Sequence, residues 1–317
     1  MMFIWVLALV VGVAAAGYGS RRAVNGALAV AGEMGWSRGL VGATVVAIGT
    51  DLPEIASSIS ASVTGHGDIV VGDATGSALT QVTLILAILV VVASKAGTVR
   101  MDAENDLVIA VGALTVAACL GIAVAIGDGV LSRLDGLLLV LFWIASALAL
   151  RRWQRGAEPV SDEKTGTGLG RGLTSLTAWL AVVAGAAMLV VRSFVELTDA
   201  IGIPELIAST VVLALGTSFP ELVVDFTAIR RGASALAFGE IFGSSLVDAS
   251  LAIGIGPMFR ATDVSGTAGT SVLVVAAGIA AATAIWHRRR TSDTQVAVGL
   301  FTVYILCVAA MITWASG

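Results

Sequence analysis

Two short stretches of this 317-residue chain repeat one piece of chemistry. Gly49-Thr50-Asp51-Leu52-Pro53-Glu54 matches Gly216-Thr217-Ser218-Phe219-Pro220-Glu221. Each places a hydroxyl, a helix-breaking proline and a carboxylate within six residues. A second pair follows: Gly72-Asp73-Ala74-Thr75-Gly76-Ser77-Ala78-Leu79 matches Gly239-Glu240-Ile241-Phe242-Gly243-Ser244-Ser245-Leu246. Gln81 and Asp248 occupy matched places five residues beyond Gly76 and Gly243. Every pair is 167 residues apart, without a gap.

Proline removes a backbone donor and frees a carbonyl in the preceding turn. Carbonyls, a threonine hydroxyl and a carboxylate brought to one point make an all-oxygen set suited to a hard cation. Gly76-Ser77 and Gly243-Ser244 permit close helix approach and add hydroxyls. The expected cation ligands are Thr50, Asp51, Glu54, Ser77 and Gln81 from one copy. Thr217, Ser218, Glu221, Asp225, Ser244 and Asp248 come from the other. Asp225 is included because it follows Glu221 by four residues on one helical face. Asp73 and Glu240, near the starts of their apolar segments, are expected at a cavity mouth or at the interface. No Lys or Arg falls in either motif, so these acids need bound cations, protons or water as partners.

The elements that position these residues must cross a bilayer. Of all residues, 57% are apolar and only 13% charged, against about 25% charged in average soluble chains. The mean hydropathy is +0.96. These figures exclude a soluble globular domain, a nucleic-acid binder and a disordered chain. Apolar windows predict ten spans near 2–30, 37–63, 68–94, 105–126, 130–150, 173–196, 203–229, 234–258, 268–286 and 295–315. The N-terminal apolar run lacks a basic start and reads as the first span, not as a signal peptide. Acidic residues 102–106 read as a solvated loop.

The longest polar stretch, 151–172, reads as a cytoplasmic linker between a first five-helix repeat, 1–150, and a second, 173–317. Connections after odd-numbered spans carry all Lys and Arg residues except Arg133, Arg192 and Arg260, once Arg21 and Arg22, inside the first window, and Arg38, at the edge of the second, are counted with the first connection. Positive charge stays inside, so both termini are expected outside. Five spans per repeat make the second copy enter from the opposite side. The expected fold is an all-α polytopic membrane protein: ten transmembrane helices in two inverted five-helix repeats, with broken helices at the midplane. Inverted repeats of this kind recur in transporters, and broken helices are tolerated at membrane depth only where they line protein or water.

Cys119 and Cys307 lie in separate apolar runs and imply neither a disulfide nor a zinc framework. His66 and His287 lie outside the acidic clusters, and no nucleophile–base constellation is visible, which argues against an enzyme. No cofactor is expected. The expected partners are the lipid bilayer and inorganic cations, with no nucleic acid. A monomer is compatible with the pattern. A cation channel is the alternative from another functional class.

At residues 49–54 with 76–81, and 216–221 with 243–248, the chain resembles the calcium/cation antiporter superfamily, in its sodium/calcium exchanger group. That group carries Gly-Thr-Ser-x-Pro-Glu followed by Gly-Ser-Asn-x-x-Asn or Gly-Ser-Asn-x-x-Asp. The resemblance implies antiport of calcium against sodium by alternating access in the plasma or inner membrane. Glu54 and Glu221 would be central calcium ligands. Thr50 and Thr217 would supply backbone or hydroxyl oxygens, and Ser77, Ser244 and Asp248 would complete calcium and sodium positions. The departures are concentrated in the first copy. Asp51 replaces the group's Ser, which Ser218 keeps. Gln81 replaces Asn, while Ala78 and Ser245 replace another Asn. Asp73 and Glu240 stand where Asn is common, and Asp225 where small or apolar residues are usual. The proton/cation exchanger signature Gly-Asn-x-x-Glu is absent. With these departures, magnesium or manganese as the carried ion, or protons as the coupling ion, stay open.

Overall fold

The structure is a computed structural model, and it describes residues 2–96, 105–153, 168–198, 206, 208–289 and 294–315. It is mostly helical. Helix α1 covers Met2–Met34. A bent pair follows, α2 (Arg38–Thr50) and α3 (Leu52–Thr64), with an angle of 46° between them. Helix α4 runs over residues 67–96, α5 over Asn105–Ala125 and α6 over Arg133–Trp153. In the second half, α7 covers Leu169–Thr198. A second bent pair, α8 (Ser209–Thr217) and α9 (Phe219–Arg230), turns by 44°. Helices α10 (Ser234–Phe259), α11 (Ala268–Arg289) and α12 (Thr294–Ala315) complete the chain.

Among the described residues six helices are long and apolar enough to cross a membrane, or eight if each bent pair counts as one span. The sequence predicts ten. Helices α1 and α7 occupy the segments of the remaining two, with Arg21 and Arg22 in the middle of α1. Of the expected connection 151–172, residues 154–167 lie outside the described residues, and Arg151 and Arg152 belong to α6. Of the acids read as a solvated loop, 102 and 104 also lie outside them, while Asp106 is exposed in the first turn of α5.

The two breaks have one local cause. Proline cannot donate, so Pro53 and Pro220 deprive the carbonyls of Gly49 and Gly216 of their usual partner. Asp51 and Ser218, at the joints, adopt φ/ψ of −79°/10° and −77°/8°. Each proline lies in the first turn of the following helix, where the missing N–H costs nothing. Wide π-type turns also recur at a matched offset. They cover Gly42–Val46 and Ala208–Leu213 before the breaks, and Gln81–Ile85 and Asp248–Ala252 inside α4 and α10. Such turns are frequent at functional sites.

The halves interlock. Helix α10 packs on α2 and α3, while α4 packs on α8 as well as α3. α4 and α10 are the most enclosed spans. α6 and α12 carry exposed apolar side chains such as Leu138, Leu141, Phe301 and Leu306, the surface a helix offers to lipid. Lipid is as apolar as leucine, so association inside a bilayer depends on close packing. The glycines supply it. A β-carbon at Gly76 would overlap the Thr210 carbonyl oxygen, and one at Gly243 would overlap Ala43 Cα. Thr210 is the mate of Ala43 at the 167-residue offset.

The two ends of the bundle differ in charge. At one end, strand β1 (Val130–Leu131) pairs antiparallel with β2 (Thr262–Asp263). Here Arg260 donates to the Val63 carbonyl oxygen at 2.7 Å. At the other end Arg231 donates to Asn25 Oδ1, Arg151 stacks over Trp36 at 5.1 Å and Arg22 over Trp179 at 5.8 Å.

Candidate cation site

The site is built where the two breaks face α4 and α10. Glu54 and Glu221 lie in the first turns of α3 and α9, where unsatisfied N–H groups favour a negative charge. Asp51 and Ser218 occupy the joints. All eleven residues expected from the sequence are buried: Thr50, Asp51, Glu54, Ser77, Gln81, Thr217, Ser218, Glu221, Asp225, Ser244 and Asp248.

Carboxylate oxygens of Asp51, Glu54 and Asp248 lie within 4.8 Å of one another. Glu221 and Gln81 are fully buried as well. Neither carboxylate oxygen of Asp51, Glu54, Glu221, Asp225 or Asp248 receives a hydrogen bond from a protein donor. Among the described buried residues there is no Lys, Arg or His. A buried carboxylate without a partner costs several kcal/mol, so this arrangement calls for cations supplied from outside the chain. Three carboxylates at this spacing, with hydroxyls close by, match the oxygen chemistry of a hard divalent ion.

Around this centre the structure brings in two further acids. The Thr50 hydroxyl donates to Glu240 Oε1 at 2.7 Å, and the Ser244 hydroxyl reaches the same oxygen at 3.3 Å. At the mirror position the Thr217 hydroxyl donates to Asp73 Oδ1 at 3.1 Å and lies 3.1 Å from Ser77 Oγ. All but the Ser244–Glu240 contact join one half to the other. Asp73 and Glu240 were expected at a cavity mouth or interface, and the structure corrects this: they are 2% and 0% exposed. The physical reason is that α4 and α10 are enclosed from their first turns onward, so nearness to a helix start is not nearness to water. The signal available in the sequence was their spacing. Each precedes Ser77 or Ser244 by four residues and so lies on the same helical face.

At Gly76 and Gly243 the two halves touch. Both glycines pack helix on helix, and that contact brings Ser77 and Ser244 beside the opposite threonine. The tight cluster holds Glu54 together with Asp51 and Asp248.

Comparison with known proteins agrees with this architecture. The chain is 29% identical over 325 residues to inner membrane protein YrbG of Escherichia coli, spanning 97% of this chain and 96% of that protein. It is 28% identical over 282 residues to sodium/calcium exchanger MaX1 of Methanosarcina acetivorans, covering 76% of this chain and 79% of the relative. Solved structures of the sodium-calcium exchanger NCX_Mj share the fold, with a TM-score of 0.75 at 24% identity over 98% of this chain and 99% of theirs. The family described as sodium/calcium exchanger protein matches residues 4–151 and 172–313, nearly the whole described bundle. The chain belongs to that family, and it is a membrane transporter of the cation-antiporter kind.

Proposed function

We propose that this protein exchanges calcium for sodium across the cell membrane by alternating access. The observation that carries the reading is the Asp51–Glu54–Asp248 cluster, three carboxylates within 4.8 Å and without a buried base among the described residues. Calcium takes six to eight oxygen ligands in flexible geometry. Asp51, Glu54, Glu221 and Asp248 would supply carboxylates, Thr50, Ser77, Thr217, Ser218 and Ser244 hydroxyl or backbone oxygens, and Gln81 an amide oxygen. Asp225 would add a carboxylate one turn from Glu221. Sodium would compete for the same oxygens. The two halves, 1–150 and 173–317, would act as inverted five-span repeats about a midplane axis. One would open toward each side in turn, with the arginine-bearing end inside and both termini outside. One chain contains every named ligand, so a monomer suffices.

A second reading is favoured by the seven buried acids, Asp51, Glu54, Asp73, Glu221, Asp225, Glu240 and Asp248. In that reading protons take the place of sodium, or magnesium or manganese the place of calcium. Calcium-45 uptake into proteoliposomes separates the readings. An outward sodium gradient should drive uptake, while matched potassium and proton gradients should not. Uptake driven by protons alone, or none for calcium but uptake for manganese, establishes the second reading. Uptake that needs no counter-ion makes the protein a channel and ends both.

A further inference from the structure

Two hollows in the molecular surface, between α5 and α6 and between α11 and α12, are lined almost wholly by apolar side chains. A third differs in kind. It lies at the arginine-bearing end of α9, has a volume of about 300 Å³ and is lined by Phe226, Thr227, Arg230 and Arg231. No carboxylate lines it, and neither arginine forms an ion pair among the described residues.

Both guanidinium groups are nonetheless held. Arg230 stacks over the Phe226 ring at 5.6 Å, and Arg231 donates through Nη1 to Asn25 Oδ1 of α1. Both partners are neutral, so two full positive charges stay uncompensated at one hollow. Each guanidinium has a planar fork of N–H donors. A ring beneath one and a single bond at Nη1 of the other leave most of those donors free. The Thr227 hydroxyl is engaged: it donates to the Val223 carbonyl oxygen at 2.7 Å and lies 3.0 Å from Ser20 Oγ. It shapes the wall and offers no proton to a ligand.

Ending a helix does not account for the pair. The mates at the 167-residue offset are Val63 and Thr64, at the end of α3, and neither is basic. There Arg260 bonds the Val63 carbonyl oxygen directly, whereas Arg230 and Arg231 bond no carbonyl of α9 among the described residues. Only residues 231–233 separate α9 from α10, so the positive end of the α10 dipole offsets the negative end of α9.

We infer that this hollow is a binding site for a phosphate group, gripped by the forks of Arg230 and Arg231. The arginine fork matches two phosphate oxygens at once. The depth fits as well. Thr227 is tied to Ser20, and within one turn of Ser20 Tyr18 packs on Trp179 at 5.4 Å. Tyrosine and tryptophan concentrate at the headgroup level of a bilayer, where basic pockets between helices take anionic headgroups. A lipid phosphodiester and dissolved phosphate present the same oxygens there.

The test is equilibrium dialysis of the purified full chain, stripped of copurified lipid, in an uncharged detergent. One arm uses radiolabelled dihexanoyl phosphatidylglycerol and the other radiolabelled inorganic phosphate. Saturable binding is expected in at least one arm. Arg230→Gln and Arg231→Gln should each weaken it by about tenfold, the loss of a charge-assisted hydrogen bond. Arg230→Lys, which keeps the charge, should recover part of that loss. Arg22→Gln, at the same end but outside the hollow, should change it by less than about threefold. Both lining arginines are exposed, and an unchanged thermal unfolding midpoint shows that their variants fold. Binding of the lipid alone assigns the site to a headgroup, and binding of inorganic phosphate alone assigns it to a dissolved anion. Absence of saturable binding in both arms overturns the inference. So does an equal loss in Arg22→Gln, the mark of general surface charge, or undiminished binding when Arg230→Gln and Arg231→Gln are combined.

Discussion

The break between α2 and α3 and the break between α8 and α9 share a backbone and differ in chemistry. Their bends are 46° and 44°, and their joint residues have nearly the same φ and ψ. The residues that set this shape are alike: Gly49 with Gly216, Thr50 with Thr217, Pro53 with Pro220. The residues that set the charge are not. Asp51 faces Ser218 across the offset, Gln81 faces Asp248, Ser58 faces Asp225 and Ser62 faces Ile229. Shape can be duplicated because it depends on local torsions and on the absence of a donor or a β-carbon. Charge in a buried centre is a property of the whole cluster, since acids from both halves meet there. The two halves need only a suitable total, and each can supply a different part of it.

The largest expected effect strikes what the halves share. Glu54→Gln and Glu221→Gln should each lower calcium-45 uptake by roughly 100-fold or more while the protein still inserts, since each removes a carboxylate whose charge is worth several kcal/mol at a buried site. Full uptake by both variants would refute the site. The next compares the glycine contacts. Gly76→Ala and Gly243→Ala should each destabilise by about 1–3 kcal/mol through overpacking, read as a fall in thermal unfolding midpoint in detergent. A fall in only one would show that the two helix approaches are unequal.

Asp51→Ser makes the first joint copy the second. It should weaken divalent affinity by about tenfold or more with a smaller change for sodium, measured by competition in binding assays. An equal change for both ions would mean that Asp51 acts on the fold and not on the ion. The smallest effect concerns the strand-bearing end. Arg260→Ala removes the bond to the Val63 carbonyl at the end of α3 and should cost about 1 kcal/mol, as for an exposed cation at a helix C-terminus. Transport should be unchanged.

Much of this was legible in the residues themselves. The 167-residue offset located both breaks and both glycine contacts, and the eleven residues singled out as candidate ligands are all buried, because proline, glycine and intramembrane acids have few alternative uses in lipid. Helix limits were legible to within several residues, since apolar windows report length directly. The burial of Asp73 and Glu240 was not. A sequence shows where a helix starts, but whether its first turn meets water depends on neighbours that are distant in the chain, here α8 for α4 and α2 for α10. The membership of the tight cluster was hidden for the same reason. Asp51 and Asp248 are almost 200 positions apart and meet only when the halves interlock.

The two-residue ladder between β1 and β2 has a consequence for how the protein is made. Its partners lie more than 130 positions apart, so it cannot close until most of the second half has left the ribosome. The carbonyl of Asp263, against which Gly67 fits so closely that a β-carbon there would overlap it, is also absent until then. The first half must therefore wait in the bilayer as an unclasped bundle, its acids without the helices that will enclose them. The ladder is a late clasp, and a ribosome stalled before residue 262 would leave it open.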